Sequence, residues 1–159
     1  MASTGCKHKK GNLTPPAATT NTQAGAGDTA GNTALPPVDV TQLEWIDLPG
    51  ASPIHFDYDS SALRDDARTT LKTNADAING LPAEKKAMVE GHCDERGTQE
   101  YNLALGERRA QAARDYLIQL GVPADRLLTV SYGEEQPANP GHDEAAWAQN
   151  RRDEFKQSR

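Results

Sequence analysis

The sequence predicts a sheet covered by helices, in the α/β or α+β class, behind a long unstructured tether. Three observations predict it. From Ile54 onward the apolar pattern switches between the twofold spacing of strands and the 3.6-residue spacing of helices. The helical stretches are bracketed by residues that start and stop helices. Before Ile54 the chain is rich in Thr, Ala, Gly, Asn and Pro, with too little apolar surface to offset the entropy of ordering.

Residues 7–52 read as the tether. Lys7 to Lys10 form a basic cluster with His8, and Pro15-Pro16 and Pro36-Pro37 interrupt any helix. A segment of about 45 residues spans roughly 150 Å when stretched and averages about 35–40 Å end to end as a coil. Leu43, Trp45, Ile46 and Leu48 make a small apolar island that predicts a lead-in packed on the domain edge.

The domain is expected over 53–156. Ile54 to Tyr58 alternates and is rich in β-formers, hence a strand. Ser60-Ser61 offers a helix cap, Asp65 and Asp66 suit a first turn, and Leu63, Ala67, Leu71, Ala75 and Ile78 recur at helical spacing until Gly80. Lys86 to Cys93 is a second strand, with Ala87, Val89, Gly91 and Cys93 on one face and Met88, Glu90 and His92 on the other. Thr98 caps a longer helix that Gly121 and Pro123 end, with a stripe of Tyr101, Leu105, Ala112, Tyr116, Leu117 and Leu120. Leu127 to Tyr132 is a third strand, Gly133 to Gly141 a loop, Asp143 to Gln149 a short helix and Arg151 to Phe155 a final strand.

Composition removes several function classes. A net charge of −6, with Lys and Arg interspersed among Asp and Glu, lacks the basic stripe that a nucleic-acid binder needs. No apolar run approaches the roughly 20 residues of a membrane span. Two cysteines, Cys6 and Cys93, do not make a disulfide framework, and Cys93 continues the core face of its strand. His92 and Cys93 point to opposite faces, and no paired Cys or His motif completes a zinc set, so neither metal nor cofactor is expected.

Arg109 is the most informative residue. It falls on the face of Leu105, Ala112 and Tyr116, where an apolar residue is expected, and Asn102 lies on nearly the same line. A buried charge needs a partner, and Asp94, at the end of the preceding strand, is available. Two readings stay open on spacing alone. One is an Asp94–Arg109 ion pair stitching strand to helix. The other is a zwitterion site, with Arg109 gripping a carboxylate, Asp94 accepting from an ammonium, and the amides of Gly97 and Thr98 at a helix start holding a second carboxylate. Asp57, ending the first strand, is a further acid for the same pocket.

The run Gly91 to Thr98, then Tyr101-Asn102, then Leu105 to Ala110, resembles the OmpA-like peptidoglycan-binding motif. Phe56 to Ser61, Val130 to Gly133, Gly141 to Trp147 and Asn150 to Arg152 resemble its peptidoglycan-associated lipoprotein branch. The resemblance implies an α+β fold: a βαβαββ sandwich of helices on a mixed sheet. It implies non-catalytic binding of peptidoglycan through the meso-diaminopimelate of the stem peptide. Asp57, Asp94, Gly97, Thr98, Asn102 and Arg109 fall on the ligand-binding positions, with Phe56, Asn150 and Arg151 as further candidates. It also implies a place in the Tol–Pal system of the cell envelope, with the β-propeller protein TolB as a partner. Cys6 resembles the acylated first residue of a mature outer-membrane lipoprotein, and Lys7 after it fits outer-membrane sorting.

Two departures shape the expectations. Asp153 and Glu154, before a polar end, predict a final strand that is frayed or at a sheet edge, or a terminus that is altered. Ser3 stands where a lipoprotein cleavage box has an apolar residue, so residues 1–6 read as the remnant of a signal and acylation site, and the chain as written is not expected to be lipidated. A glycan hydrolase using Asp57 and Asp94 as acid and base finds no support in any nucleophile–base pair. The alternative to wall binding is a protein-interaction module that binds TolB and has little wall affinity of its own.

Overall fold

The computed structural model describes residues 43–159; residues 7–42 of the tether and the expected acylation site Cys6 lie outside the described residues. The elements are β1 (Trp45–Asp47), β2 (Ile54–His55), α1 (Asp65–Asn79), β3 (Ala87–His92), α2 (Gln99–Gln119), a short 3-10 turn (Ala124–Arg126), β4 (Leu127–Gly133), α3 (Glu144–Asn150) and β5 (Arg152–Ser158). The strands form one mixed sheet. β1 and β2 pair antiparallel with β5, β5 pairs antiparallel with β3, and β3 pairs in parallel with β4. The parallel pair is joined by α2, the crossover such a pair requires. The α+β class, with helices on a mixed sheet, is the architecture observed.

The core lies between the sheet and the two long helices, where Ile54, Phe56, Val89 and Phe155 meet Leu71, Ile78 and Leu117. α2 comes unusually near β3, because a Cβ on Gly91 would stand 2.1 Å from the Gly106 carbonyl oxygen. This approach widens the buried face of α2 beyond the expected stripe. Leu105 and Leu117 of that stripe are buried as expected and Tyr116 and Leu120 pack against the core, but Asn102, Gly106, Arg109, Ala110 and Ala113 are buried as well, whereas Tyr101 is 45% exposed and Ala112 only half-buried. Gly106, Ala110 and Ala113 are small enough to let the backbones close together, with Leu105 and Leu117 filling the space beside them.

Four boundaries differ from expectation. The first strand pairs only over Ile54–His55, since the chain from Phe56 leaves the sheet to wrap the Arg109 side chain. α1 starts at Asp65 without a side-chain cap; the Ser60 hydroxyl instead accepts the Ala62 N–H, and Asp65 and Asp66 occupy the first turn as expected. The tether boundary at 52 is too late, because β1 pairs with β5 and Leu48 is buried in the core. The final strand is neither frayed nor at an edge: β5 runs Arg152–Ser158 through the middle of the sheet, with Asp153 fully buried. The caps Thr98 and Asp143 form as the sequence predicts for the one and close to prediction for the other, each accepting a main-chain N–H of its helix.

Candidate functional site

The loop after β3 and the start of α2 form one wall of a cleft of about 230 Å³, and the segment after β2 forms the other. Cys93, Asp94, Arg96, Gly97, Asn102, Leu105 and Arg109 line the first wall, Tyr58 and Asp59 the second, with Tyr101 at the rim. Gly97 has φ of +125°, a conformation that side chains disfavour, and it turns the chain so that Thr98 can cap α2.

Arg109 is 1% exposed and is held by main-chain oxygens. Its Nε donates to Ser60 O (2.8 Å), Nη1 to His92 O (2.9 Å) and Cys93 Sγ (3.4 Å), and Nη2 to Asp57 O (3.1 Å). Among the described residues no carboxylate lies within ion-pair distance of it, so the Asp94–Arg109 ion pair, one of the two readings left open by the spacing, is not formed. Burial pulls the guanidinium below its ordinary pKa, yet an arginine stays charged. Of its five N–H groups four are used, which leaves one on Nη2 beside a cleft the residue lines. The Phe56 ring, 5.1 Å away, supports the guanidinium from the core side.

Asp94 is spent differently. It accepts from the Arg96 amide (3.1 Å), Arg96 Nε (3.2 Å), Arg96 Nη2 (2.7 Å) and Arg151 Nη1 (3.1 Å). Burial pushes its carboxyl up, but these bonds outweigh burial and hold its pKa below the usual carboxylate value. Arg96 in turn is stacked between Tyr58 (4.0 Å) and Trp147 (4.2 Å), so one aromatic clamp fixes the Asp94 carboxylate. Cys93, pushed up to about 11 by burial, is a thiol and not a reactive thiolate.

The structure therefore brings together Asp94, Gly97, Asn102 and Arg109 in one cleft, and sets the other candidates around it. Asn102 Nδ2 donates to Asp94 O and to Glu134. Thr98 spends its hydroxyl on the helix cap. Asp57 gives its carbonyl to Arg109 while its exposed carboxylate turns to Arg64. Arg151 holds Asp94, Glu144 and the Phe56 carbonyl. Asn150 clamps Asn139 through two bonds and lines a neighbouring cavity, not the Arg109 cleft. Sequence reasoning missed Arg96, Tyr58 and Asp59. Arg96 sat inside the quoted motif, and its stacking partner Trp147 lies 51 positions away in sequence, too far for spacing to reveal.

A cationic group at the cleft floor with acids on both walls suits a ligand carrying a carboxylate and an ammonium. This fold and site define an OmpA-type domain, and a model described as the OmpA family matches residues 55–151. A peptidoglycan-associated lipoprotein of Pseudomonas aeruginosa is 42% identical over 152 residues, covering 96% of this chain and 88% of that protein. One from Mesorhizobium japonicum is 54% identical over 99 residues, 62% of this chain and 58% of that protein. The crystal structure of the peptidoglycan-associated lipoprotein from Burkholderia pseudomallei superposes with a TM-score of 0.62 at 43% identity, covering 66% of this chain and 88% of that one. The C-terminal domain of Helicobacter pylori MotB gives 0.65 at 28% identity, covering 69% and 86%. The chain belongs to the OmpA family, in its branch of peptidoglycan-associated lipoproteins. Among the described residues no helix is long and apolar enough to cross a membrane.

Proposed function

We propose that this chain binds peptidoglycan without catalysis, anchoring the outer membrane to the cell wall, and that its cleft takes the zwitterionic centre of meso-diaminopimelate in the stem peptide. The observation that carries the reading is Arg109: a buried guanidinium with no counter-ion among the described residues, lining a cleft, with one N–H left to give. A ligand carboxylate supplies that counter-charge. Asp94 meets the ligand ammonium by exchanging one of the bonds it accepts from Arg96, and Asp59 faces the same cleft. Gly97 and Thr98 lie at the start of α2, where main-chain N–H groups favour an anion.

The same reading includes the Tol–Pal system, with TolB as a protein partner, and an outer-membrane anchor through an acylated Cys6 in the natural form; both rest on the family resemblance. Calorimetric titration with a diaminopimelate muropeptide, against a lysine-containing one, is the test. Lysine lacks the second carboxylate, so binding of the first alone is expected. Arg109→Ala is expected to weaken binding by about a hundredfold or more, as for other truncated buried charge pairs. Because its carbonyl partners are structural, Arg109→Lys is measured beside it: it keeps the charge but loses the fork, and is expected to bind weakly while folding. Equal binding of both muropeptides, or undiminished binding by a folded Arg109 variant, refutes the diaminopimelate assignment. No binding to either leaves the protein-interaction reading, to be tested with TolB.

A further inference from the structure

The cleft belongs to the helix-covered side of the sheet, and a second cluster converges on the opposite side. Glu90 and His92 lie two positions apart on β3 and point the same way, opposite to Val89 and Gly91, which meet the helices. Glu154 of β5 stands across from Glu90 in the antiparallel register. One ligand atom from each of Glu90, His92 and Glu154 lies within 4.8 Å of the others. His92 is 1% exposed and its ring stacks on Tyr132, 5.5 Å between centroids, yet neither ring nitrogen has a hydrogen-bond partner among the described residues. A buried imidazole with both nitrogens unpartnered is costly, and such a group calls for something to satisfy it.

We propose that this open sheet face carries a binding site for a first-row divalent metal ion of the zinc type, with Glu90, His92 and Glu154 as its protein ligands. Three protein ligands leave a fourth tetrahedral position for water, as in open zinc sites. The imidazole selects zinc and its transition-metal neighbours over magnesium or calcium. Lys156 is the ion's competitor. Its Nζ stands 3.0 Å from Glu154 Oε2 and 3.8 Å from Glu90 Oε2, in the space the metal would take. Asp47, 2.6 Å from the same Nζ and itself exposed, keeps the ammonium when an ion displaces it. Arg152 Nε holds Glu154 Oε1 at 2.7 Å, which orients that carboxylate and leaves Oε2 to the metal. The three carboxylates Asp47, Glu90 and Glu154 outnumber the cations Lys156 and Arg152, so an incoming cation is not repelled.

The test uses the full chain, stripped with EDTA, titrated with Zn²⁺ by calorimetry and with Co²⁺ by visible absorption. One ion per chain is expected, with cobalt bands of nitrogen–oxygen ligation. Glu154→Gln is expected to weaken binding about tenfold or more. Lys156→Met is expected to tighten it, a change that a purely structural lysine does not produce. Muropeptide binding is expected to be unchanged in Glu154→Gln, whose side chain lies outside the cleft. His92→Gln is expected to lose the cobalt bands; if it does not fold, the two partly exposed variants decide. Absence of saturable binding, or wild-type affinity in Glu154→Gln, overturns the proposal. A thiolate-to-cobalt charge-transfer band also overturns it, by placing the ion on Cys6 or Cys93.

Discussion

At the scale of single residues the cleft rests on two charges treated in opposite ways. Arg109 is surrounded by carbonyls and lacks a counter-ion among the described residues, whereas Asp94 accepts from two arginines. The consequence for Asp94 is a dependence of stability on pH. Its folded pKa lies below the ordinary carboxylate value, so its contribution is fully present above that ordinary value and is lost as pH falls through the lowered folded one. Asp94→Asn is therefore expected to be less stable at neutral pH and to lose less stability than wild type on acidification below about pH 4. Urea midpoints across that range, with EDTA present, check it; parallel curves for the two proteins contradict it. Arg109 and Asp94 were both legible in the sequence as a charge on an apolar face and a nearby acid. Their actual partners were not, because the carbonyls of Asp57, Ser60 and His92 carry no residue-type signal, and Arg151 is distant in sequence.

At the scale of elements the strands and helices were legible where the apolar pattern was regular, whereas β5 was legible as a final strand but not as a longer, central one. Its inward positions are Asp153, Phe155 and Gln157, opposite Gly91, Val89 and Ala87, so a single large apolar residue marks a central strand. Its outward positions, Glu154 and Lys156, form ion pairs on the open face and look from the sequence like an exposed edge. Asp153 is the anomaly. It is fully buried beneath α2, burial raises its carboxyl well above the usual value, and neither oxygen has a hydrogen-bond partner among the described residues. A buried polar group in that state costs about 1–3 kcal/mol, so Asp153→Ala is expected to stabilise the domain by about that amount. The cavity left by so small a change offsets little of the gain. A lowered melting temperature in this variant would show that the carboxyl is satisfied in solution.

At the scale of the whole molecule the question is where the tether ends and the folded body begins. Composition drew the line after residue 52, because the alternating apolar pattern of the domain begins only at Ile54. Pairing draws it earlier. β1 adds three residues to the edge of β5, the Leu48 amide donates to Phe155 O (3.1 Å), and the Leu48 side chain is 3% exposed in the core. Further bonds tie Glu44 to Arg159 and Asn74 to Ser52. Two deletions separate the alternatives. Removing residues 1–42 leaves every one of these contacts and is expected to leave the melting temperature unchanged. Removing residues 1–52 exposes the outer edge of β5 and opens the core at Leu48. Loss of one buried leucine costs about 2–5 kcal/mol, which lowers the melting temperature of a domain this size by roughly 10 °C or more. The cleft lies on the other side of Phe56, so whatever of the shorter protein remains folded is expected to bind muropeptide with undiminished affinity. Equal melting temperatures for the two deletions would return β1 to the tether. The separation matters for how the molecule bears load. Tension applied through the N-terminal segment reaches the sheet at β1, which must peel from β5 before the strain reaches Phe56, Asp57 and the carbonyls that hold Arg109.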